Sequence, residues 1–258
     1  MKNKSKFIFG PVPSRRLGRS LGVDLVPFKT CSYDCIYCQL GHTTDKTVKR
    51  KEYVCVEEVL KELRNTAGRI EADYITLSGS GEPTLNSGIG KLIAGIKKLS
   101  PIPIAILTNS SLLSKKRIRD EIKEADLVVP SLDAGDERTF REINRPHSSL
   151  RFKTMVEGLI QFGREFSGKL WLEIMFVDGI NSSQAQAKKL IPFIEEINPD
   201  RIQLNTPIRP PAEKSARQVS EEKLEGIRKI LGPKAELIVR YERMYEGIHS
   251  SENEILSM

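Results

Sequence analysis

The 258-residue sequence has little cysteine, histidine or tryptophan: it contains four cysteines, three histidines and one tryptophan. Three of the four cysteines lie in the octapeptide CSYDCIYC, at positions 31, 35 and 38. Three thiols so close in sequence do not make a sensible disulfide framework, because such short spacings meet the distance requirements of a disulfide poorly. The sequence therefore predicts a reducing compartment and free thiols that serve a purpose other than cross-linking.

Long apolar runs are missing as well. The most apolar segment, LWLEIMFV, is short and contains Glu173, whereas a membrane-spanning helix needs roughly 18 apolar residues. The amino-terminal MKNKSKFIFGPVPSRR is basic but lacks the apolar stretch of a signal peptide. These absences predict a cytoplasmic protein that does not enter a membrane.

The sequence carries a moderate excess of positive charge. There are 41 Lys and Arg against 34 Asp and Glu, a formal net charge of +7. The basic residues cluster at Arg15, Arg16 and Arg19, at positions 46–51 and at positions 115–119. Such clusters fit solvated surfaces or contacts with a nucleic acid, and the sequence leaves both interpretations open.

Short β-rich apolar runs alternate with longer segments of helical spacing, which is typical of a parallel sheet with crossover helices. The predicted strands are 21–27, 73–79, 102–109, 127–133, 170–177 and 201–207. The predicted helices are 55–67, 87–99, 114–125, 149–166, 183–197 and 220–232. Six such units are fewer than the eight of a closed barrel. We therefore expect an α/β fold, a partial (β/α)6 TIM-like barrel, although an open doubly wound sheet is the other candidate.

No domain boundary is visible in the sequence. We expect a single domain over residues 1–258, with a core of about 18–210 and a carboxyl-terminal helix and tail over 211–258. Small and polar residues follow nearly every predicted strand, in SGSGEP, TNSS, SLDAGD, VDGINSS and NTPIRPP, and REINRPHSS is predicted as a further polar loop. Ligands bind at the carboxyl ends of strands in this class of fold, so these loops mark the functional face.

Two kinds of metal centre could use the three clustered cysteines. Zinc prefers four ligands, and the fourth would come from His42 or Cys55. An iron-sulfur cube can be held by three thiolates, which leaves one iron open to another ligand. Cys55 begins a predicted helix, where a small apolar side chain near a helix end is the simpler interpretation.

The spacing C-x3-C-x2-C, with Tyr37 before the last cysteine and a strand before the loop, resembles the signature of the radical S-adenosylmethionine (radical SAM) superfamily. The resemblance implies that Cys31, Cys35 and Cys38 bind a 4Fe-4S cluster whose open iron chelates the amino and carboxylate groups of S-adenosylmethionine. It also implies a partial barrel of the radical SAM type.

A second segment, SGSGEPTL after the second predicted strand, resembles the Gly-Gly-Glu loop of that family, which receives the methionine amino group. Gly79, Ser80, Gly81 and Glu82 align with the loop, although Ser80 interrupts a strict match. Glycines at these positions let the backbone turn sharply and approach a ligand closely. Without the cysteines, a plain turn with a proline at the start of a helix would explain the same residues.

The resemblance extends to polar residues at the ends of other strands. It implies that Tyr37 packs near the cluster and the adenine, and that polar side chains reach the ribose and the methionine carboxylate. The matching candidates are Ser131, Asp133 and Glu173, with Asn109 and Asn205 at the ends of the third and sixth strands. Glu173 lies in an apolar strand, so it either faces a ligand in the barrel lumen or pairs with a nearby arginine.

The resemblance implies an enzyme that reductively cleaves S-adenosylmethionine to a 5′-deoxyadenosyl radical, which abstracts hydrogen from a substrate. The electron would come from a reductant protein such as a ferredoxin or a flavodoxin. The segment GPVPSRRLGRSLGVDLVPFKTCSYDCIYCQLG resembles a branch related to the wyosine-forming tRNA enzymes, but their additional cysteines are missing. Candidate substrates are therefore tRNA, a peptide or protein, or a small molecule. The alternative is a non-catalytic zinc or iron-sulfur module that binds RNA.

Overall fold

The computed structural model describes residues 6–66 and 71–238. The strands are β1 (Ile8–Ser14), β2 (Gly18–Val23), β3 (Thr30–Cys31), β4 (Asp45–Lys46), β5 (Tyr74–Leu77), β6 (Ile104–Thr108), β7 (Leu127–Pro130), β8 (Lys169–Met175), β9 (Arg201–Asn205) and β10 (Ala235–Leu237). The helices are α1 (Val56–Thr66), α2 (Ile89–Leu99), α3 (Lys116–Ile122), α4 (Glu137–Asn144), α5 (Phe152–Glu165), α6 (Gln184–Ile197) and α7 (Glu221–Leu231), with a single 3-10 turn at Pro83–Leu85.

Eight of these strands form one sheet in the order β1-β2-β5-β6-β7-β8-β9-β10. Every neighbouring pair from β2 to β10 is parallel, and only the edge hairpin of β1 and β2 is antiparallel. No pairing closes β10 onto β1 within the residues that the structure describes. The prediction of an open, mostly parallel α/β barrel is therefore confirmed.

The sheet has two edge strands that the sequence analysis did not predict. The strand β1 has the sequence IFGPVPS, in which glycine and proline obscure the β pattern and are tolerated because the strand lies at an edge. The strand β10 has only three residues. The prediction of six strands in the sheet was therefore too low.

One helix was also missed. The predicted polar loop REINRPHSS is wrong for its first four residues, because they form the last turn of α4. The side chain of Asp136 caps this helix by accepting a hydrogen bond from the Thr139 N–H at 2.8 Å. The end of the first predicted helix at Ala67 and the predicted tail beyond residue 238 lie outside the described residues. The single-domain assignment stays a prediction.

Strand residues alternate between two apolar cores. One face of the sheet packs against the helices through a large cluster that includes Ile106, Val128 and Leu172. The opposite, concave face contains a smaller cluster of Ala105, Leu127, Val129 and Trp171, closed by Leu17 from the β1–β2 turn. The amino-terminal hairpin therefore covers one end of the concave face. Within the described ranges, no helix has the length and apolar character that a membrane crossing demands.

Replacement of Leu17 by alanine tests whether this hairpin turn stabilises the barrel. Leu17 is 3% exposed, and removal of such a buried leucine side chain costs about 2–5 kcal/mol. We expect a loss of that size in the free energy of unfolding, measured by urea denaturation. The matched control is Phe28→Ala, because Phe28 is 64% exposed and its truncation should change stability by less than about 0.5 kcal/mol. Equal effects of the two substitutions would contradict the packing described for the turn.

Candidate active site

The loop that carries the three clustered cysteines is fixed at several points. Its first residues form β3, which pairs in parallel with β4 in a separate two-stranded sheet. The last carbonyls of α4 accept hydrogen bonds from the loop, at 3.0 Å from Asp34 N to Asn144 O and from Ile36 N to Ile143 O. The helix that was missed in the sequence therefore holds the middle of this loop in place.

The sulfur atoms of Cys31, Cys35 and Cys38 are too far apart for a single metal ion. Among the described residues, no group that includes these three has all of its ligand atoms within 4.8 Å of one another. Tetrahedral zinc with Zn–S bonds of roughly 2.3 Å would require sulfur atoms about 3.8 Å apart. A four-iron cube binds each thiolate at a different iron and so accepts a wider spacing. This geometry favours the cluster over zinc.

The two candidates for a fourth zinc ligand do not join the cysteines. The ring of His42 lies beside acidic residues, at 3.4 Å from Asp34 and 3.6 Å from Glu213. Cys55 lies next to the start of α1, as predicted, where it is exposed and its thiol donates to Glu57 at 3.3 Å. Neither residue supplies a ligand at the cysteine loop.

The environment of the thiols opposes their ionisation in the protein alone. Burial raises the pKa of Cys31 to about 12, with a further contribution from the nearby Glu82 carboxylate. Burial also raises the pKa of Cys35 well above its ordinary value. Because thiolates are the ligands of iron and zinc, a metal centre here must displace protons when it binds.

The glycine-rich segment after β5 packs directly on the backbone of the cysteine loop. Lys29 N donates to Ser80 O at 2.7 Å, and Glu82 N donates to Thr30 O at 3.2 Å. A Cβ atom on Gly81 would lie 1.8 Å from Thr30 O, so no other residue fits at this position without movement of the backbone. Gly79 has a φ of +131°, a conformation that favours glycine. Gly81 is therefore required by the contact between the two loops, and Gly79 by its own backbone conformation beside Asp24.

Glu82 is buried and its carboxylate is saturated by the protein. Its Oε1 accepts from Thr84 N, Thr84 Oγ1 and Thr108 Oγ1 at 3.1, 2.6 and 2.7 Å. Its Oε2 accepts from Asn109 N at 2.7 Å. Burial raises the pKa of this carboxyl group despite these donors. Glu82 thus caps the 3-10 turn and ties the glycine-rich loop to the end of β6.

Asp24 is a further anchor of this loop, and the sequence analysis did not identify it. Its carboxylate accepts from Ser80 N at 3.1 Å and from Ser80 Oγ. Asp24 follows β2 directly, where the sequence gives no sign that distinguishes it from any acidic residue at a strand end. The serine that interrupts the Gly-Gly-Glu match therefore has a structural partner.

Asn109 and Ser131 reach the cysteine loop and the cavity, as their strand-end positions predicted. The amide nitrogen of Asn109 lies 3.4 Å from Cys31 Sγ and donates to Ser32 Oγ at 2.9 Å. Ser131 forms an isolated backbone bridge with Glu173 and lines the cavity above the thiols.

The partly buried Tyr37 forms a hydrogen-bonded pair with the buried Asp133. The Tyr37 hydroxyl donates to Asp133 Oδ2 at 2.5 Å, and Asn144 Nδ2 donates to the same oxygen at 2.7 Å. Met175 N donates to Asp133 Oδ1 at 2.9 Å. Burial raises the pKa of Asp133 to about 6. Asp133 therefore joins the cysteine loop, α4 and β8 with its own acceptor atoms.

Glu173 forms the ion pair that was one of its two predicted roles. Its Oε1 lies 2.7 Å from Arg16 Nη1, and both side chains are less than one-fifth exposed, at 14% and 18%. Asn205 Nδ2 donates to the same oxygen at 3.0 Å. Although burial alone would raise it, the Arg16 guanidinium holds the pKa of Glu173 below its usual range. Arg16 comes from the hairpin turn that also carries Leu17.

One cavity collects most of the predicted site residues. Its lining includes Cys31, Cys35, Cys38, the loop residues 79–82, Asn109, Ser131 and Glu173. Three predicted site residues lie outside this lining: Tyr37, Asp133 and Asn205. Each interacts with a residue of the lining, the first two with Cys35 and Asn205 with Glu173. Lys29 lines the same cavity, although its sequence context did not predict this, because an isolated lysine before a cysteine has no distinguishing pattern.

Comparison with known families agrees with this geometry. Residues 25–191, well over half of the chain, match the model of the "Radical SAM superfamily". The match contains the cysteine loop and the glycine-rich loop. The chain belongs to the radical SAM superfamily. The family prediction is confirmed, and with it an enzyme class whose cofactors are S-adenosylmethionine and a 4Fe-4S cluster.

Two relatives illustrate how the radical SAM chain occurs in longer proteins. A protein named "GTPase Obg" from Brachyspira hyodysenteriae is 44% identical over 229 residues, which are 88% of this chain and 34% of that protein. A "UPF0026 protein" from Methanocaldococcus jannaschii is 42% identical over 233 residues, which are 89% of this chain and 71% of that protein. The chain thus spans about a third of the first relative and about 71% of the second.

Solved structures show the same fold at low sequence identity. SuiB from Streptococcus suis, bound to the precursor peptide SuiA, superimposes with a TM-score of 0.63 at 18% identity, over 84% of this chain and 48% of SuiB. A structure of TYW1 with a lysine-pyruvate adduct gives a TM-score of 0.58 at 18% identity, over 83% of this chain and 72% of TYW1. These likenesses confirm the partial radical SAM barrel.

Replacement of Gly81 by alanine tests the contact between the two loops. The added Cβ would collide with the Thr30 carbonyl at 1.8 Å, so we expect a loss of unfolding free energy beyond the ~1–3 kcal/mol of ordinary overpacking. The matched control is Gly226→Ala in α7, where nothing lies within 4 Å of the added Cβ. That change should be neutral or stabilising by up to about 1 kcal/mol. Thermal and urea unfolding measure both, and a neutral Gly81→Ala would contradict the docking.

A double-mutant cycle tests the ion pair between Arg16 and Glu173. Either Arg16→Met or Glu173→Gln leaves a poorly exposed charge without its partner, which should cost about 3 kcal/mol of unfolding free energy. The double variant should lose less than the sum of the two, as measured by urea denaturation. An exposed pair, Arg164 and Glu196 at 58% and 52% exposure, serves as control, where Arg164→Met should change stability by less than about 0.5 kcal/mol. Additive effects at Arg16 and Glu173 would contradict the pairing.

Proposed function

We propose that Cys31, Cys35 and Cys38 hold a 4Fe-4S cluster and that the protein reductively cleaves S-adenosylmethionine at its open iron. One observation carries the proposal: the three thiols share a cavity with the glycine-rich loop, at a spacing unsuited to a single ion. The cavity lies at the carboxyl ends of the parallel strands, where ligands of such folds bind. Held by these three residues, such a cluster would supply the one electron that breaks the bond between the sulfonium sulfur and the 5′ carbon, which would yield methionine and a 5′-deoxyadenosyl radical.

The protein's own groups position the cofactor in this proposal. The Ser80 carbonyl already accepts from Lys29 N, which leaves the carbonyls of Gly79 and Gly81 to accept from the methionine ammonium. Asn109 and Ser131 offer side-chain donors and acceptors at the cavity wall. Asp133 and Glu173 support the wall through the contacts described above. Reduction requires an external electron donor, for which we propose a ferredoxin or a flavodoxin.

The structure adds no support to the tRNA hypothesis, because six of the eleven Lys and Arg residues in the basic clusters form ion pairs within the described part of the chain. In the three clusters, ion pairs join Arg16 to Glu173, Arg19 to Glu71 and Asp73, Arg50 and Arg117 to Glu121, Lys116 to Asp120, and Arg119 to Glu165. Paired guanidinium groups have less charge to offer to phosphates. A peptide, a protein or a small molecule remains an equal candidate.

We do not propose for this chain the GTPase activity that the name of the Brachyspira relative states. A GTPase of the P-loop class requires the sequence G-x4-G-K-[ST], in which backbone N–H groups and a lysine bind phosphates. No such sequence occurs in the 258 residues. The non-catalytic zinc module is disfavoured by the spacing of the sulfur atoms.

The experiment is a measurement of 5′-deoxyadenosine after anaerobic reconstitution with iron and sulfide and addition of S-adenosylmethionine and dithionite. We expect product from the parent protein and a loss of at least about 100-fold in Cys35→Ala, since a missing ligand disrupts the cluster. Cys55→Ala is the matched control, because Cys55 is exposed and outside the cavity. It should retain parental activity.

Two results would contradict the proposal. One is equal product formation by the parent and by Cys35→Ala. The other is a parent protein that binds one equivalent of zinc and, after reconstitution, neither iron nor sulfide. Iron and sulfide assays on the same samples separate these outcomes from simple inactivity.

A further inference from the structure

Lys29 is a buried lysine whose ammonium group contacts a cysteine of the proposed cluster site. The residue is only 3% exposed. Its Nζ donates to Cys38 Sγ at 3.1 Å, and the residue lines the cavity with the three thiols. A buried ammonium is costly unless it is paired with a negative group, so the identity of its partner is informative.

The partner of Lys29 is sulfur rather than a carboxylate. Among the ion pairs of the described residues, none joins Lys29 to Asp or Glu. The buried carboxylates of Glu82 and Asp133 accept hydrogen bonds from other donors, including Asn109 N and Asn144 Nδ2. Lys29 is therefore the positive charge that faces the thiols on this side of the cavity.

The backbone of Lys29 is fixed by both loops of the site. Its N–H donates to Ser80 O at 2.7 Å, and its carbonyl accepts from Thr44 N and Asp45 N, each at 3.2 Å. Its φ of +58° is uncommon for a residue other than glycine. The protein thus holds a lysine, with its side chain directed to Cys38, at a position where backbone geometry alone would favour glycine.

We propose that Lys29 tunes the cluster by donating a hydrogen bond to the Cys38 sulfur and by placing a positive charge beside it. The inference rests on the cluster proposed above. Reduction adds one negative charge to the cluster, and a nearby cation and hydrogen bonds to its sulfur atoms stabilise the reduced form. Lys29 therefore raises the reduction potential and makes the cluster easier to reduce.

The test is a redox titration of the reconstituted cluster, followed by its electron paramagnetic resonance signal, without S-adenosylmethionine. Lys29→Met removes the charge. Methionine is unbranched like lysine, so the positive φ at residue 29 strains the two residues equally. We expect the equilibrium constant for reduction to fall at least about tenfold, a shift of ~59 mV to lower potential. Lys29→Arg keeps the charge and should stay within about threefold of the parent.

The matched control is Lys46→Met, which makes the same charge change at an exposed position opposite Cys31 in the small sheet. Solvent and salt screen that charge, so its equilibrium constant should also stay within about threefold of the parent. Iron and sulfide contents are measured for every variant. Loss of the cluster from Lys29→Met with retention in Lys29→Arg would also support the inference, because the charge would then be needed to hold the thiolates.

Three outcomes would contradict the role of Lys29 but would not contradict the proposal that the parent protein holds a cluster. The first is a parental potential in Lys29→Met. The second is a parental potential with weakened binding of S-adenosylmethionine, which would assign Lys29 to the methionine carboxylate. The third is loss of the cluster from both Lys29→Met and Lys29→Arg. A parent protein that binds neither iron nor sulfide would instead contradict the proposed function.

Discussion

The close contact between the glycine-rich loop and the cysteine loop is the constraint on which the site depends. Gly81 lies against the Thr30 carbonyl with no room for a Cβ, and hydrogen bonds on either side join Lys29 to Ser80 and Glu82 to Thr30. This contact fixes the start of β3 against the loop that follows β5. It therefore sets where the thiols stand relative to the backbone groups that face the cavity.

Buried carboxylates make the surrounding wall rigid. Glu82, Asp133 and Glu173 each receive hydrogen bonds or an ion pair from elements that are distant in sequence. A buried carboxylate must have such partners, because desolvation of an unpaired charge is very costly. As a result, Glu82, Asp133 and Glu173, which the family resemblance assigned to the cofactor, are hydrogen-bonded or ion-paired to other protein groups. Glu82 and Glu173 nevertheless line the cavity, together with the thiols, Asn109 and Ser131.

The sequence revealed the parallel sheet and the thiols because their signals are local. Alternation of strands with helices, and three cysteines within eight residues, are visible without tertiary structure. The edge strand β1 escaped because Gly10, Pro11 and Pro13 break its pattern. Arg16, Asp24 and Lys29 escaped for a different reason. Their roles depend on tertiary contacts, with a partner 157 residues away for Arg16 and nine residues away for Lys29, and no spacing in one sequence reports such contacts.

The most direct test of the account is the electron paramagnetic resonance spectrum of the dithionite-reduced, reconstituted protein before and after addition of S-adenosylmethionine. An iron held by no cysteine is free to bind the cofactor, so the account predicts a cluster signal whose g-values change on addition. A cluster signal that S-adenosylmethionine leaves unchanged would contradict the open iron. A protein without any cluster signal, and with normal folding, would contradict the assignment of Cys31, Cys35 and Cys38.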